Sequence, residues 1–183
     1  MKVSREQMAE NRRRILDAAG RLFRAKGFDA VSVAEVMKAA GLTHGGFYGH
    51  FSSKDDLIAE TLAEILVADP GKESNFQAFV DAYLSPKHRD NAANGCPTAG
   101  LAALTRHQAA SSRKAMSVGL RTQIERLSKV SPGTTAAKKR RAAIANWSAM
   151  VGAIILARAV DDRALSDEIL EQTRSWINAA RQP

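Results

Sequence analysis

Apolar residues in the first part of the chain recur at the three- and four-residue spacing of helix faces. One such stretch ends at Gly27, and a second lies between Ser32 and Gly41. Ser32 and Glu35 form a capping box, in which a hydroxyl and a carboxylate satisfy the first free amides of a helix, and glycine is a common C-terminal stop. The pattern predicts two helices, buried through Ile15, Ala18, Ala19, Leu22 and Phe23 and through Val33, Val36, Met37 and Ala40.

The chain then turns over three residues, 41–43, into a short helix that Thr43 should cap. Phe47 and Phe51 lie one turn apart and are expected in the core, and Ser53 with Asp56 opens a fourth helix that ends near 70–71. The rest of the chain predicts helices at 74–84, 99–111, 113–130, 137–160 and 165–181, with a long loop at 85–97. Since no segment alternates like a strand, the predicted fold is all-α.

Gly45 and Gly46 lie inside the predicted third helix, where each glycine costs about 1 kcal/mol relative to alanine. Two short helices joined by a turn containing glycine make a helix-turn-helix, whose second helix enters the DNA major groove. Glycine there removes bulk where the backbone must approach base edges. Tyr48 and His50 can reach phosphate oxygens, and Lys54 adds a cation beside them.

The charge of the chain supports a polyanionic partner. The net charge is +8 and the sequence pI is 10.0, and residues 1–54 hold ten Lys and Arg against five Asp and Glu. The run Arg12–Arg14 is either a solvated helix face or a set of phosphate contacts. The run Lys138–Arg141 is expected to be a solvated face or the rim of a dimer interface.

Composition and spacing exclude several other classes of protein. Hydrophobic residues make up 45% of the chain, which is typical of a globular protein, and no apolar run reaches the length of a membrane span. The N-terminus lacks a signal peptide, and the single cysteine fits a reducing compartment, so a cytoplasmic location is expected. The four histidines show no metal-ligand spacing with Cys96, and no phosphate-cradling loop is present, so neither metal nor cofactor is expected.

Residues 10–66 resemble the DNA-binding domain of the TetR/AcrR family of bacterial transcriptional regulators. The resemblance rests on "ILDAAGRLFRAKGFDAVSVAEVMKAAGLTHGGFYGHFSSKDDLIAETL", in particular its Ala-Gly-Leu-Thr, Tyr-x-x-Phe and Ser-Lys-x-x-Leu elements. It implies a helix-turn-helix domain at 1–54 and a helical domain for effector binding and dimerisation at 55–183. It also implies a homodimer that binds a palindromic operator in double-stranded DNA, most often as a repressor, and releases it when a small molecule enters the second domain.

The resemblance also assigns roles to individual residues. Phosphate contacts are expected from Ser32, Thr43, Tyr48, His50 and Lys54, whereas His44, Gly45 and Gly46 fall at the base-reading end of the recognition helix. Many relatives carry Ser or Thr at the position of Gly46. This chain therefore has one side chain fewer for base readout, so specificity should depend more on His44 and on operator shape.

The second domain offers candidate residues for a ligand cavity and for dimerisation. Cavity lining or plain core packing is expected of Phe76, Phe79, Tyr83, Cys96, Leu104, His107, Met116, Leu120, Trp147 and Met150. A homodimer is expected through 137–160 and 165–181. The candidate surface has two parts. The first is a stripe of small residues: Ala145, Ala149, Gly152, Ala153, Leu156 and Ala157. The second is a bulkier stripe on the last helix: Ile169, Thr173, Trp176 and Ile177.

The sequence leaves open whether Cys96 takes part in sensing the signal that releases the operator. It lies just before a helix expected to start at Thr98, and a helix N-terminus favours the reactive thiolate. The thiol is therefore either a sensor of electrophiles or oxidants or an incidental buried group. Two other functions remain possible from the sequence: a thiol-dependent enzyme pairing Cys96 with His107, and a constitutive DNA-binding protein without an effector.

Overall fold

The computed structural model describes residues 4–67 and 76–179, and every regular element in these ranges is a helix. Nine α-helices follow one another in these described ranges, together with two short 3₁₀ helices at His44–Gly49 and Ala92–Asn94. The α-helices are α1 (Arg5–Lys26), α2 (Val33–Ala39), α3 (Lys54–Val67), α4 (Phe76–Tyr83), α5 (Pro86–Asp90), α6 (Pro97–Thr105), α7 (Ala110–Val130), α8 (Ala136–Ala159) and α9 (Arg163–Ala179). The all-α prediction is confirmed.

Local sequence signals set the ends of the first helices as predicted. Gly27 follows α1 with φ +81°, and Gly41 turns the chain after α2 with φ +68°, a region that favours glycine. The hydroxyl of Ser32 accepts the amide N–H of Glu35 at 3.1 Å. The Glu35 carboxylate does not close the predicted capping box. It accepts a hydrogen bond from the Lys26 ammonium at 2.6 Å instead.

The third helix differs from its prediction in two ways. It is a 3₁₀ helix of six residues, His44–Gly49, which we call the recognition helix. Thr43 stands at its N-cap position with an extended backbone, but its hydroxyl makes no capping hydrogen bond, so that expectation was wrong. The helix is held instead by Phe47, which is buried and stacks on the buried Phe51 at a centroid distance of 5.7 Å.

Two hydrophobic clusters form the core. The first joins α1, α2, the recognition helix and α3, and it also includes Leu101 of α6 and Met116 of α7. The second joins α4, α8 and α9 with Leu127 of α7. Because α3 packs against both α1 and α7, it connects the helix-turn-helix unit to the rest of the protein. The end predicted for this helix near 70–71 lies outside the described residues.

The segment 85–97, predicted as a loop, contains α5 and a 3₁₀ turn at Ala92–Asn94. The hydroxyl of Ser85 caps α5 by accepting the amide N–H of His88 at 3.2 Å. The guanidinium of Arg89 is buried and donates to the Ser166 hydroxyl at 2.8 Å and to the Asp167 carboxylate at 2.5 Å, both on α9. These contacts over long sequence separations fix α5, and the sequence pattern could not reveal them. The helix predicted at 99–111 also differs from the structure. Here α6 ends at Thr105, and α7 begins at Ala110 after a short connection.

The proposed dimer surface on α8 and α9 lies only partly outward. Leu156 and Trp176 are 56% and 59% exposed, and a Cβ added to Gly152 would meet no atom within 4 Å. Three residues of the predicted stripes were wrongly placed there, because Ala153, Ala157 and Ile177 are buried in the second cluster. The outward stripe on α8 is therefore Ala145, Ala149, Gly152 and Leu156.

One described helix, α8, is long and apolar enough on average to cross a membrane, by length and composition alone. It packs against both α7 and α9, and its side chains contribute seven buried residues to the interior of the protein. We therefore describe it as a core helix.

Candidate nucleic-acid interface and ligand cavity

The predicted DNA-contacting residues lie on one exposed surface around the recognition helix. Thr43, His44, Gly45, Gly46 and Tyr48 are exposed, and Tyr48 is 72% exposed although its ring contacts the edge of Phe47. Ser32 at the start of α2 is also exposed, whereas His50 and Lys54 are half-buried at the far end of the recognition helix and at the start of α3. The helix-turn-helix geometry thus presents these side chains together to solvent.

Neither Gly45 nor Gly46 is required by the chain's own packing. Neither has a positive φ. A Cβ added to Gly45 would meet nothing within 4 Å, and one added to Gly46 would make ordinary contacts with Met37 and Thr43 at 3.7 and 3.8 Å. The packing of the described residues therefore does not demand glycine at either position.

The basic run Arg12–Arg14 is largely used inside the protein. Arg12 donates through Nη1 to the carbonyl of His50 at 2.7 Å, forms an ion pair with Glu60, and lies 4.5 Å from the centre of the Phe51 ring. Arg14 donates to the carbonyl of Ala40 at the end of α2. Arg13 and Arg14 are both exposed, and Arg13 pairs with Glu10. The phosphate-contact hypothesis for this run therefore remains for Arg13 and Arg14.

Burial lowers the pKa of His50 below its ordinary value, and the neighbouring Arg12 guanidinium lowers it further. The imidazole of His50 is thus biased toward its neutral form in the unbound protein. As a neutral ring it can still donate one hydrogen bond to a phosphate oxygen.

A cavity of about 430 Å³ lies between α3, α4, α7 and α8 and is closed on one side by the segment 94–98. Four predicted residues line it: Phe79, Tyr83, Cys96 and Trp147. Its other lining residues were not predicted: Arg24, Ile65, Leu66, His88, Asn94, Gly95, Pro97, Thr98, Gly119 and Gln123.

The six other predicted cavity residues do not line this cavity. Met116 is buried in the first cluster with Leu120 packed against that cluster, and Met150 is fully buried in the second. His107 is exposed in the connection between α6 and α7, and its Nε2 accepts a hydrogen bond from Arg106. Phe76 belongs to the second cluster, and Leu104 is exposed.

His88 in the cavity wall is fully hydrogen-bonded. Its Nδ1 lies 2.7 Å from the carbonyl of Tyr83, so this nitrogen carries the proton and donates. Its Nε2 accepts the amide N–H of Cys96 at 3.0 Å. Burial lowers the pKa of His88, and Arg158 lowers it further, although the bond to the Tyr83 carbonyl opposes them. Because its basic nitrogen is occupied, His88 cannot serve as a general base for the Cys96 thiol.

Cys96 occupies the N-cap position of α6 and is half-buried, and α6 begins at Pro97. The pair of Cys96 with His107 that a thiol enzyme would need is not assembled, since His107 does not line the cavity. No group of three or more metal-binding side chains occurs within residues 4–67 and 76–179.

Comparison with known proteins identifies the N-terminal unit. The family described as bacterial regulatory proteins, tetR family, matches residues 15–61. The HTH-type transcriptional regulator AcrR of Shigella flexneri is 44% identical over 57 residues, which cover 31% of this chain and 26% of AcrR. The HTH-type transcriptional repressor Rv1474c of Mycobacterium tuberculosis is 33% identical over 92 residues, 49% of each chain. The matched region thus spans half or less of these curated relatives.

The fold extends the similarity to the whole chain. The reduced form of NemR from E. coli superposes with a TM-score of 0.72 at 22% identity, covering 92% of this chain and 95% of NemR. A TetR transcriptional regulator from Legionella pneumophila gives a TM-score of 0.72 at 22% identity over 100% of both chains. Residues 15–61 thus match the tetR family of bacterial regulatory proteins, and the chain as a whole shares the all-α fold of the TetR transcriptional regulator from Legionella pneumophila.

Proposed function

We propose that the chain is a DNA-binding transcriptional regulator, acting as a repressor that leaves its operator when a signal reaches the cavity. The observation that carries this proposal is that α1 and α3 each belong to both sites. They pack around the recognition helix at one end. Near their other ends they line the cavity, through Arg24 on α1 and through Ile65 and Leu66 on α3. A ligand that displaces these side chains would therefore shift the supports of the recognition helix.

The exposed residues around the recognition helix would contact DNA in two ways. Tyr48, His50, Lys54, Ser32 and Thr43 have groups that suit phosphate oxygens, which position a protein without reading sequence. His44 is the side chain closest to the start of the recognition helix, where base edges are read. Gly45 and Gly46 would let the backbone approach the groove.

A homodimer is proposed because a palindromic operator requires two recognition helices related by symmetry. The outward stripe of α8 and the exposed side of α9, with Leu156 and Trp176, would form the interface. Two helices from each subunit would then pack as a four-helix bundle. The exposed run Lys138–Arg141 begins α8 and would lie at the rim of this interface.

The proposed signal is a small molecule in the cavity, or an electrophile or oxidant that reacts with Cys96 in its wall. Repression is supported by the name of the relative Rv1474c, a transcriptional repressor. A constitutive DNA-binding protein would not need an apolar cavity against α1 and α3. We propose a cytoplasmic location, in line with DNA as the partner.

The test is operator selection from random duplexes, followed by binding measured as fluorescence anisotropy across a salt series. The selected site should be an inverted repeat with half-site centres about 34–36 Å apart or a multiple of that. Lys54→Ala should weaken all sites alike and reduce the salt slope by about one unit, whereas His44→Ala should change the preferred sequence. An asymmetric site bound by a monomer, or a Lys54→Ala variant with altered base preference, would contradict the proposal.

A further inference from the structure

Two hydrogen-bond donors in the cavity wall have no strong acceptor in the described part of the chain, where the hydroxyl of Tyr83 has only the weakly accepting thiol of Cys96 beside it. They are the indole Nε1 of Trp147 and the hydroxyl of Tyr83, and both residues are only 7% exposed. An indole N–H can donate but never accept. Burial raises the pKa of Tyr83 well above its ordinary value, and the neighbouring Cys96 thiol raises it further. The phenol therefore stays protonated and is available as a donor.

Arg24 adds a positive charge to the same wall without an acidic partner. Its Nε donates to the carbonyl of Ala93 at 2.7 Å, and it forms no ion pair with any residue of 4–67 or 76–179. Burial lowers the pKa of Arg24, and Asp17 exerts the weakest of the influences on it. A guanidinium remains charged even so. Arg24 is half-buried, and a partly desolvated cation without a counter-ion is unfavourable, so an anion beside it would be stabilised.

Among residues 4–67 and 76–179, no Asp or Glu lines the cavity. The remaining wall is mostly apolar, with four polar residues, His88, Asn94, Thr98 and Gln123, and it contains flat ring surfaces. The ring of Phe79 lies 6.4 Å from that of Trp147 at an interplanar angle of 19°, and the ring of Tyr83 lies 5.3 Å from Trp147. Ile65 and Leu66 face these rings from α3. Such a wall suits a planar aromatic body.

We propose that this cavity selects aromatic anions, that is, planar ring compounds carrying a carboxylate or a comparable anionic oxygen group. The ring would pack on Phe79 and Trp147, and the oxygens would accept hydrogen bonds from Trp147, Tyr83 and Arg24. A cationic ligand of the same size would lie beside Arg24, with no Asp or Glu of residues 4–67 and 76–179 in the wall to neutralise it. The inference rests on the proposed function only in taking this cavity to be the effector site.

The experiment is isothermal titration calorimetry of the full-length protein with three ligands of one ring system. The ligands are 2-naphthoate, neutral 2-naphthamide and cationic 2-naphthylmethylammonium. The carboxylate should bind about tenfold more tightly than the amide, because charge-assisted hydrogen bonds are the stronger ones, and the cation should bind most weakly. Equal or tighter binding of the cation, or no binding of the carboxylate at about 1 mM, would overturn the proposal.

Substitutions in the cavity wall test which residues produce the preference for a carboxylate ligand. Arg24→Met and Tyr83→Phe should each reduce the preference for carboxylate over amide several-fold. Tyr83→Phe removes a buried hydroxyl that has only the weakly accepting Cys96 thiol beside it, so the variant should fold about as stably as the native protein. Arg21→Met is the matched control, because Arg21 is exposed on the same helix and does not line the cavity. An equal loss of preference in Arg21→Met would refute the assignment.

Operator release is measured separately by anisotropy, so the two proposals can fail independently. If naphthoate binds in the expected order and the operator stays bound, the ligand class stands and regulation through the cavity fails. If another ligand releases the operator while naphthoate does not bind, the regulatory proposal stands and the selectivity for aromatic anions fails.

Discussion

The guanidinium of Arg12 donates a hydrogen bond to the main-chain carbonyl of His50 at 2.7 Å, across 38 positions of sequence. The same group lies over the ring of Phe51 and pairs with Glu60 of α3. Arg12, on α1, therefore connects the end of the recognition helix to both α1 and α3. Its neighbour Arg13 makes only an exposed pair within α1.

Arg12→Ala should therefore lower the free energy of unfolding by about 2 kcal/mol, through the lost hydrogen bond and the lost cation–π contact. Operator affinity should also fall, because the recognition helix loses a support. Urea denaturation and anisotropy measure the two effects. Arg13→Ala is the control and should change stability by less than about 0.5 kcal/mol. Equal destabilisation by the two substitutions would contradict the role given to Arg12.

Gly45 and Gly49 form a matched pair at the two ends of the recognition helix, since an added Cβ meets nothing within 4 Å at either site. Alanine at either position should leave the fold intact and should not lower stability, because glycine is the poorer helix former. Gly45→Ala should nevertheless weaken operator binding, since its methyl group would lie at the base-reading end, whereas Gly49→Ala should have a smaller effect. Thermal unfolding and anisotropy together test this, and equal affinities would remove the proposed reason for the glycine at 45.

The helix-turn-helix unit could be predicted from sequence because its signals are local. Ser32 caps α2, Gly27 and Gly41 end helices, and Phe47 and Phe51 recur at one-turn spacing, so each element is specified within a few residues. The exact hydrogen bonds were less predictable. Glu35 pairs with Lys26 rather than closing the capping box, because a lysine from α1 reaches it in the folded chain.

The cavity was only partly predictable because it depends on how helices cross. Apolar spacing identifies Met116, Leu120 and Met150 as inward-facing, but it cannot tell a packed cluster from a cavity wall. The missed residue Arg24 appeared as one more cation of a basic N-terminal helix. Its place in the wall follows from the approach of α1 to the segment at Ala93, 69 positions away in sequence.

Helices α3 and α7 pack closely at Gly119, where an added Cβ would lie 2.4 Å from the Cβ of Leu66. Gly119→Ala should force these helices apart and lower the free energy of unfolding by about 1–3 kcal/mol. Since α3 begins at Lys54 beside the recognition helix, operator affinity should fall as well.

Gly100→Ala is the control for this substitution. Gly100 is also helical, but an added Cβ would make only ordinary contacts of 3.6–3.7 Å with Arg24. It should therefore be neutral or slightly stabilising. Chemical denaturation of both variants decides the matter, and a Gly119→Ala protein as stable as the native one would show that α3 and α7 can adjust freely.

His88 should make stability depend on pH in a defined direction. Its pKa in the folded protein lies below the ordinary 6.5, so the unfolded chain binds the proton more readily. The contribution of neutral His88 is therefore fully present above about pH 6.5 and is lost as the pH falls toward the folded-state pKa. Protonation would also place a hydrogen on Nε2, which could no longer accept the Cys96 amide.

The thermal midpoint should accordingly fall on acidification from about pH 7.5 to pH 5.5, and His88→Gln should reduce this dependence. His50, whose pKa is also lowered, should account for part of the remainder. His107→Gln serves as the control, because His107 is exposed outside the cavity. If His88→Gln leaves the pH dependence unchanged, His88 is not the group that titrates.

Cys96 is the only cysteine of the chain and lies half-buried in the cavity wall at the start of α6. A quinone that enters the cavity should add to the thiolate of Cys96, forming a carbon–sulfur bond and leaving the ring as the hydroquinone after proton uptake. The bulky adduct should press on Ile65 and Leu66 of α3 and release the operator.

Anisotropy with benzoquinone measures release of the operator, and intact mass spectrometry detects a single adduct. The native protein should release DNA as the adduct forms, whereas Cys96→Ser should stay bound at the same dose. Because the chain holds no second cysteine, any disulfide formed with an oxidant such as hypochlorite must be with a small thiol or with another subunit. Release of the Cys96→Ser protein at the same dose would show that the cavity responds by binding alone and that this thiol is not the sensor.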